Sequence, residues 1–136
     1  MVDGMESTLK TNFQRVKEFM ESFGQEVKSK PEWPDSETME LRIDLIEEEL
    51  GEFKDAILSA DGTLVDIADA LSDLLYVVYG AGHSFGLDLD ACFKEVHRSN
   101  MSKLDENGEP IYREDGKVLK GPDFTEPDLE SMIYDK

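Results

Sequence analysis

The sequence predicts an all-α fold: a bundle-like core of four helices, then a small C-terminal β-hairpin and a polar tail, in a chain that forms dimers. Three observations carry this expectation. Apolar residues recur at three- and four-residue steps through four successive segments, each bounded by proline, glycine or cap-forming residues. The third segment is apolar around most of its circumference, the mark of a central helix. Beyond Leu104 the helical period stops, and Asp115-Gly116 stands between two short segments in the manner of a hairpin turn.

From about Glu6 to Lys28, the residues Leu9, Phe13, Val16, Phe19, Met20, Phe23 and Val27 form an aromatic-rich stripe at helical spacing. The run Lys30-Pro31-Glu32-Trp33-Pro34-Asp35 breaks it, because each proline disfavours helix at the residue before it. A second helix is expected from about Glu37 to Ala60, with Ser36 as N-cap but no complete capping box, since Met39 stands where Glu or Gln would. Asp61-Gly62 turns the chain, and Thr63 caps a third helix reaching about His83, closed by Phe85-Gly86. Asp88 caps a fourth, from Leu89 to about Lys103. Asp105-Glu106-Asn107-Gly108 is a turn, the hairpin spans Ile111 to Lys120, and one short helix follows Pro127 in the tail. The reading is one domain over 1–136, with its helical core over about 6–104 and the hairpin and tail over 105–136.

The bulk properties narrow the function. A length of 136 residues suits one domain with a real core, and 34% charged with 39% hydrophobic residues is a globular composition. No segment approaches the roughly 18 apolar residues of a membrane span, and Met1 to Lys10 lacks the features of a signal peptide. The single cysteine, Cys92, fits a reducing compartment, so the expected location is the cytoplasm. A formal net charge of −18 argues against a nucleic-acid polymer as partner. It also leaves many carboxylates without a cationic partner.

The placement of those carboxylates is the main chemical signal. On a helical wheel with Glu48 at zero, Leu41, Leu45, Ile46, Phe53, Ala56 and Ile57 fill an arc from roughly 20° to 180°. Glu52, near 40°, and Glu49, near 100°, fall inside that arc, with Glu48 at its margin. An ionised carboxylate facing a core costs several kcal/mol unless a cation or strong donors compensate it. The third helix repeats the anomaly: Asp66, Asp69 and Asp73 lie within roughly 60° of one another. Between Lys54 and Lys94 there is no Lys or Arg to pair with them. Helices joined by the short Asp61-Gly62 turn pack together, so the two acidic stripes can converge. An all-oxygen ligand set suits Mg²⁺ or Mn²⁺, which can hold phosphates and activate water. The competing reading is a solvated acidic face. Neither His83 nor His97 has a Glu three residues before it, against a di-iron site. The glycine of the run from Asp105 to Glu114 is at its fourth position, not the sixth of a Ca²⁺ loop.

Glu48-Glu49-Leu50-Gly51-Glu52 followed by Asp66-Ile67-Ala68-Asp69 resembles the paired E-E-x-x-E and E-x-x-D motifs of the MazG-like all-α NTP pyrophosphatase superfamily. The continuation ADALSDLLYVVYG, then EVHRSNMSKL and GKVLKGPDF, resembles its dimeric-dUTPase-like branch, over about residues 13 to 127. The resemblance implies Mg²⁺-dependent hydrolysis of dUTP or another (d)NTP to the monophosphate and pyrophosphate, a house-cleaning of the nucleotide pool. It implies metal ligands at Glu49, Glu52, Asp66 and Asp69, with Glu48 and Glu49 as the catalytic carboxylates and Mn²⁺ able to replace Mg²⁺. Asp66 stands where the motif usually has glutamate, one methylene longer, so Asp73 is a candidate to share its role.

Arg98, Asn100 and Lys103 at the end of the fourth helix, with Lys117 and Lys120 on the hairpin, are the candidates for substrate phosphates, which need cations and amide donors. The simpler reading is of cations favoured at a helix C-terminus. Gln14 is a candidate base contact. Two other functions stay open, phosphoribosyl-ATP pyrophosphohydrolysis and a non-catalytic acidic dimerisation module. With apolar stripes on every helix, one bundle cannot cover its own apolar surface, so a homodimer, or a dimer of dimers, is expected.

Overall fold

The computed structural model describes residues 9–134. Among these residues the chain is all-helical: α1 (Asn12–Ser22), α2 (Ser36–Leu58), α3 (Leu64–Phe85), α4 (Leu89–Met101) and α5 (Leu129–Tyr134). Among the described residues no helix is long and apolar enough to cross a membrane. The chain falls into two compact units, one ending at Leu87 and the other beginning at Asp88. The first holds α1 to α3, with α3 packed along α2 and against α1; in the second, α4 packs against α5.

Local chemistry moves several boundaries. α1 is shorter than its apolar stripe. Thr11 starts it with a capping box, its side chain accepting from Gln14 N while the Gln14 side chain accepts from Thr11 N. At the other end Gly24 adopts φ 73 and the chain leaves the helix. The part of the expected helix before Leu9 lies outside the described residues. The N-cap of α2 is Asp35 rather than Ser36: its carboxylate accepts from Thr38 N at 2.8 Å, a stronger cap than a hydroxyl. α3 and α4 begin at the caps expected, Thr63 and Asp88.

The expected β-hairpin is not present. Tyr112 and Val118 form one isolated antiparallel bridge, and there is no strand among the described residues. Tyr112 to Lys120 is exposed throughout, so the segment has no buried apolar face, and a lone two-stranded ribbon is marginal in water.

The core of the first unit is small. Phe13, Val16 and Met20 of α1 are buried with Ala70 of α3. The Phe13 ring stacks on buried His83 at 3.8 Å, and His83 Nε2 meets the Phe13 carbonyl at 2.8 Å. Arg42 of α2 is buried and donates through Nε to Ser84 Oγ at 2.8 Å. Gly80 makes room for it, since a Cβ there would stand 2.7 Å from Arg42 Nη1. The α1–α2 connection lies along the end of α3, with Lys28 N donating to His83 O at 3.1 Å and Glu32 N to Phe85 O at 3.0 Å. Gly86 closes α3 at φ 68, where a Cβ would collide with the Lys30 carbonyl.

Candidate metal centre between α2 and α3

The α2–α3 hairpin folds back symmetrically about Asp61. Arg42, nineteen residues before Asp61, lies against Gly80, nineteen after it; Glu49, twelve before, lies near Asp73, twelve after. This register sets which acids meet. One carboxylate oxygen from each of Glu49, Glu52 and Asp73 lies within 4.8 Å of the other two. Glu49 and Asp73 are half-buried and Glu52 is exposed.

Glu49 is the most constrained of the three. Its Oε2 is buried and receives no hydrogen bond among the described residues. Its carboxyl is pushed up to about 7, first by the Glu52 carboxyl, close enough to share its proton, then by burial and the charges on Glu52, Asp73 and Glu48. None of Glu48, Glu49, Glu52, Asp69 or Asp73 has an ion pair among the described residues. A divalent cation would resolve this arrangement: it supplies the missing partner for Oε2 and offsets the repulsion among the three carboxylates. An all-carboxylate donor set matches Mg²⁺ or Mn²⁺.

Beside the cluster is an open hollow of about 290 Å³ lined by Glu52, Asp55, Ala56, Asp66, Asp69 and Ala70. Asp69 and Asp66 therefore line the hollow and stand outside the closest triad, where Asp73 takes the third place. Asp66 also has a structural task. Its Oδ2 accepts from Thr63 N at 3.0 Å and its N–H donates to Thr63 Oγ1 at 3.2 Å, the reciprocal cap that starts α3. Glu48 is exposed and acts on Glu49 through its charge. Asp55 was not singled out by the wheel, yet it contributes to the hollow. Asp73, already on the acidic stripe of α3, is brought opposite Glu49 by the hairpin register about Asp61.

The other candidates divide by their partners. Gln14 closes the α1 capping box, so its side-chain oxygen is in use. Arg98 belongs to a latch within the second unit: Nε and Nη2 each donate to a Glu95 oxygen at 2.8 Å, and Nη1 donates to Thr125 Oγ1 at 2.7 Å. Glu95 also accepts from Asp128 N at 2.7 Å, and these bonds hold its carboxyl down at about 2. Lys120 sits over the Phe124 ring at 4.8 Å and 3.7 Å from Glu126. Asn100 and Lys117 are exposed, and Lys103 is half-buried with its carbonyl accepting from Gly121 N at 2.8 Å. All five phosphate candidates belong to the second unit.

Comparison with known proteins gives matches to a family model, to a curated protein and to solved structures. The family model for phosphoribosyl-ATP pyrophosphohydrolase matches residues 16–100, more than half of the chain. An uncharacterised protein of Acanthamoeba polyphaga mimivirus is 37% identical over 139 residues, covering 98% of this chain and 52% of that protein. The chain thus spans about half the length of that curated relative. A crystal structure of a protein proposed to be an NTP pyrophosphohydrolase, from Exiguobacterium sp. 255-15, superposes with a TM-score of 0.51 at 24% identity. It covers 91% of this chain and 94% of its own, and shows the shared fold.

Proposed function

This chain belongs to the phosphoribosyl-ATP pyrophosphohydrolase family of MazG-like all-α NTP pyrophosphohydrolases, and from that premise we propose that it splits a nucleoside triphosphate between the α- and β-phosphates. The products are the monophosphate and pyrophosphate. The observation that carries this reading is the Glu49 carboxylate, which has a buried, unpartnered Oε2 and one oxygen within 4.8 Å of oxygens of Glu52 and Asp73.

Glu49, Glu52 and Asp73 would hold the divalent cation, and Asp55, Asp66 and Asp69 line the adjoining hollow with Glu52. Bound Mg²⁺ or Mn²⁺ supplies a Lewis acid for a phosphoryl oxygen and lowers the pKa of water. In this reading Glu48, whose charge acts on Glu49 from outside the triad, is the base that accepts a proton from the attacking water. Of the second unit's five candidates for phosphate, Arg98 and Lys120 have partners within that unit, which leaves Asn100, Lys103 and Lys117 as the candidates there. The substrate is dUTP or another (d)NTP, and the setting a cytoplasmic nucleotide pool. Phosphoribosyl-ATP is the second reading, favoured by the description of the matching family.

The active form in this reading is a homodimer. Ile43, Leu50 and Ile57 make an exposed seven-residue repeat along α2, and Leu64, Leu71 and Val78 make another along α3. Two such stripes on one hairpin suit an isologous contact with a second copy. Light scattering should then give twice the 15.4 kDa chain mass.

The decisive assay is ³¹P NMR of the protein with Mg²⁺ and each common NTP and dNTP, dUTP and phosphoribosyl-ATP. The reading predicts monophosphate and pyrophosphate from at least one triphosphate, abolished by EDTA. Turnover of phosphoribosyl-ATP alone selects the second reading. Diphosphate plus orthophosphate, or no turnover at all, overturns both; no turnover with no Mg²⁺ response leaves the non-catalytic module.

A further inference from the structure

A second hollow, of about 250 Å³, lies between α1 and α3 and is not used by the acidic triad. Asn12, Arg15, Ser72, Tyr76 and Tyr79 line it, with buried Val16 among them. Its α3 wall continues directly from the metal-binding acids. Ser72 precedes Asp73, and Tyr76 and Tyr79 follow it by about 4.5 and 9 Å of helical rise. The volume is slightly below the ~300 Å³ at which small-ligand pockets begin, a size for a single nucleoside.

We propose that this hollow takes the nucleobase of the substrate, and that it favours a base presenting a carbonyl oxygen. The proposal takes the triphosphate reading of the acidic triad as given. Two features of the lining carry it. Both tyrosine rings are fixed from behind: Tyr79 makes an edge contact with Phe13 at 6.0 Å and Tyr76 with Phe19 at 5.5 Å. Rings held in this way offer a stacking surface without an ordering cost on binding. The Asn12 side chain is also oriented, because its Oδ1 accepts from Arg15 Nη1 at 2.9 Å. With its oxygen engaged, the amide has N–H donors to present, and donors select acceptors on the base edge. Uracil, thymine, cytosine and guanine carry a carbonyl oxygen; adenine does not. Arg15 acts as a positioning residue for Asn12.

The test uses nucleoside monophosphates, so that binding is read apart from hydrolysis. Saturation-transfer NMR with dUMP and dAMP should show saturation reaching the dUMP base protons, with dAMP weaker by on the order of tenfold. Tyr76→Ala should weaken dUMP by on the order of tenfold, and Tyr76→Phe should keep it. Asn12→Asp retains the oxygen that Arg15 holds and removes the amide donors, so it should abolish the preference for dUMP. An acidic residue in the first turn of α1 is favourable, so this variant stays informative even where Tyr76→Ala fails to fold. Equal binding of dUMP and dAMP by the wild type, no transfer to either base, or an unchanged preference in Asn12→Asp overturns the proposal. A protein that binds bases as described but releases no pyrophosphate refutes the hydrolase reading alone. One that releases pyrophosphate with no base contact refutes the hollow alone.

Discussion

Replacing Glu49 by Gln should stabilise the metal-free protein while removing its response to Mg²⁺. Gln keeps the shape of Glu and removes one charge from the crowded triad. The Glu49 carboxyl is raised from 4.5 to about 7, so the folded state binds a proton that the unfolded state releases earlier. For a raised carboxyl, the stabilising contribution is complete below the unfolded value and is lost as pH rises through the folded one. The window is therefore pH 4.5 to 7. At about 1.4 kcal/mol per pH unit the loss is bounded near ~3 kcal/mol, and solvent screening at the exposed Glu52 side reduces it to roughly 1–2 kcal/mol. For a chain of this size that corresponds to about 3–8 °C in Tm. The assay is thermal unfolding in EDTA at pH 5 and pH 8, followed by Mg²⁺ titration. Glu49→Gln should melt above wild type at pH 8 and close to it at pH 5, and Mg²⁺ should raise Tm in the wild type only. A variant that melts at or below wild type at pH 8 and responds equally to Mg²⁺ would refute the reasoning.

Other consequences concern the scaffold. Gly86→Ala should cost on the order of 3 kcal/mol, because it combines a left-handed backbone with a Cβ driven into the Lys30 carbonyl; denaturant midpoints give the value. Thr63→Ala should cost about 1 kcal/mol by removing the α3 cap, visible as a lower Tm. Asp66→Asn should lower pyrophosphate release less than Glu52→Gln does, since Asp66 is engaged by Thr63 N; equal losses in initial rate would count against this division of roles. In the second unit Glu95 is held at about 2 by Arg98 and Asp128 N. For a depressed carboxyl the stabilising contribution is present above the unfolded value near ~4.3 and is lost as pH falls through the folded one, so the latch should release between about pH 4 and 2. Carboxyl ¹³C shifts should show Glu95 titrating near 2, and a midpoint near 4 would remove the latch.

Much of the fold was readable because capping and period agreed at α3 and α4, where Thr63 and Asp88 start helices whose stripes begin at once. α1 misled because its aromatic stripe continues past both ends of the helix: Phe23 and Val27 keep the spacing, but Gly24 has already turned the chain. The hairpin misled because Asp115-Gly116 is a strong turn signal while Tyr112 to Lys120 offers nothing to bury. At the site, the wheel found that Glu49 faces inward, which depends only on α2. Choosing among Asp66, Asp69 and Asp73 depends on how far along α3 the opposing residue falls. A single-helix wheel carries no information on that, and the chain's reversal about Asp61 decides it. The Asn12–Arg15 pair and the tyrosines of the second hollow come from different helices, so no local pattern announces them.

The most direct test of the central claim is Mn²⁺ binding followed by electron paramagnetic resonance. The wild type should remove free Mn²⁺ signal with saturable stoichiometry, and Glu49→Gln and Asp73→Asn should each weaken binding by on the order of tenfold or more, with both variants folded. Wild type and both variants binding Mn²⁺ equally well, or none binding it, would contradict a metal centre built from Glu49, Glu52 and Asp73.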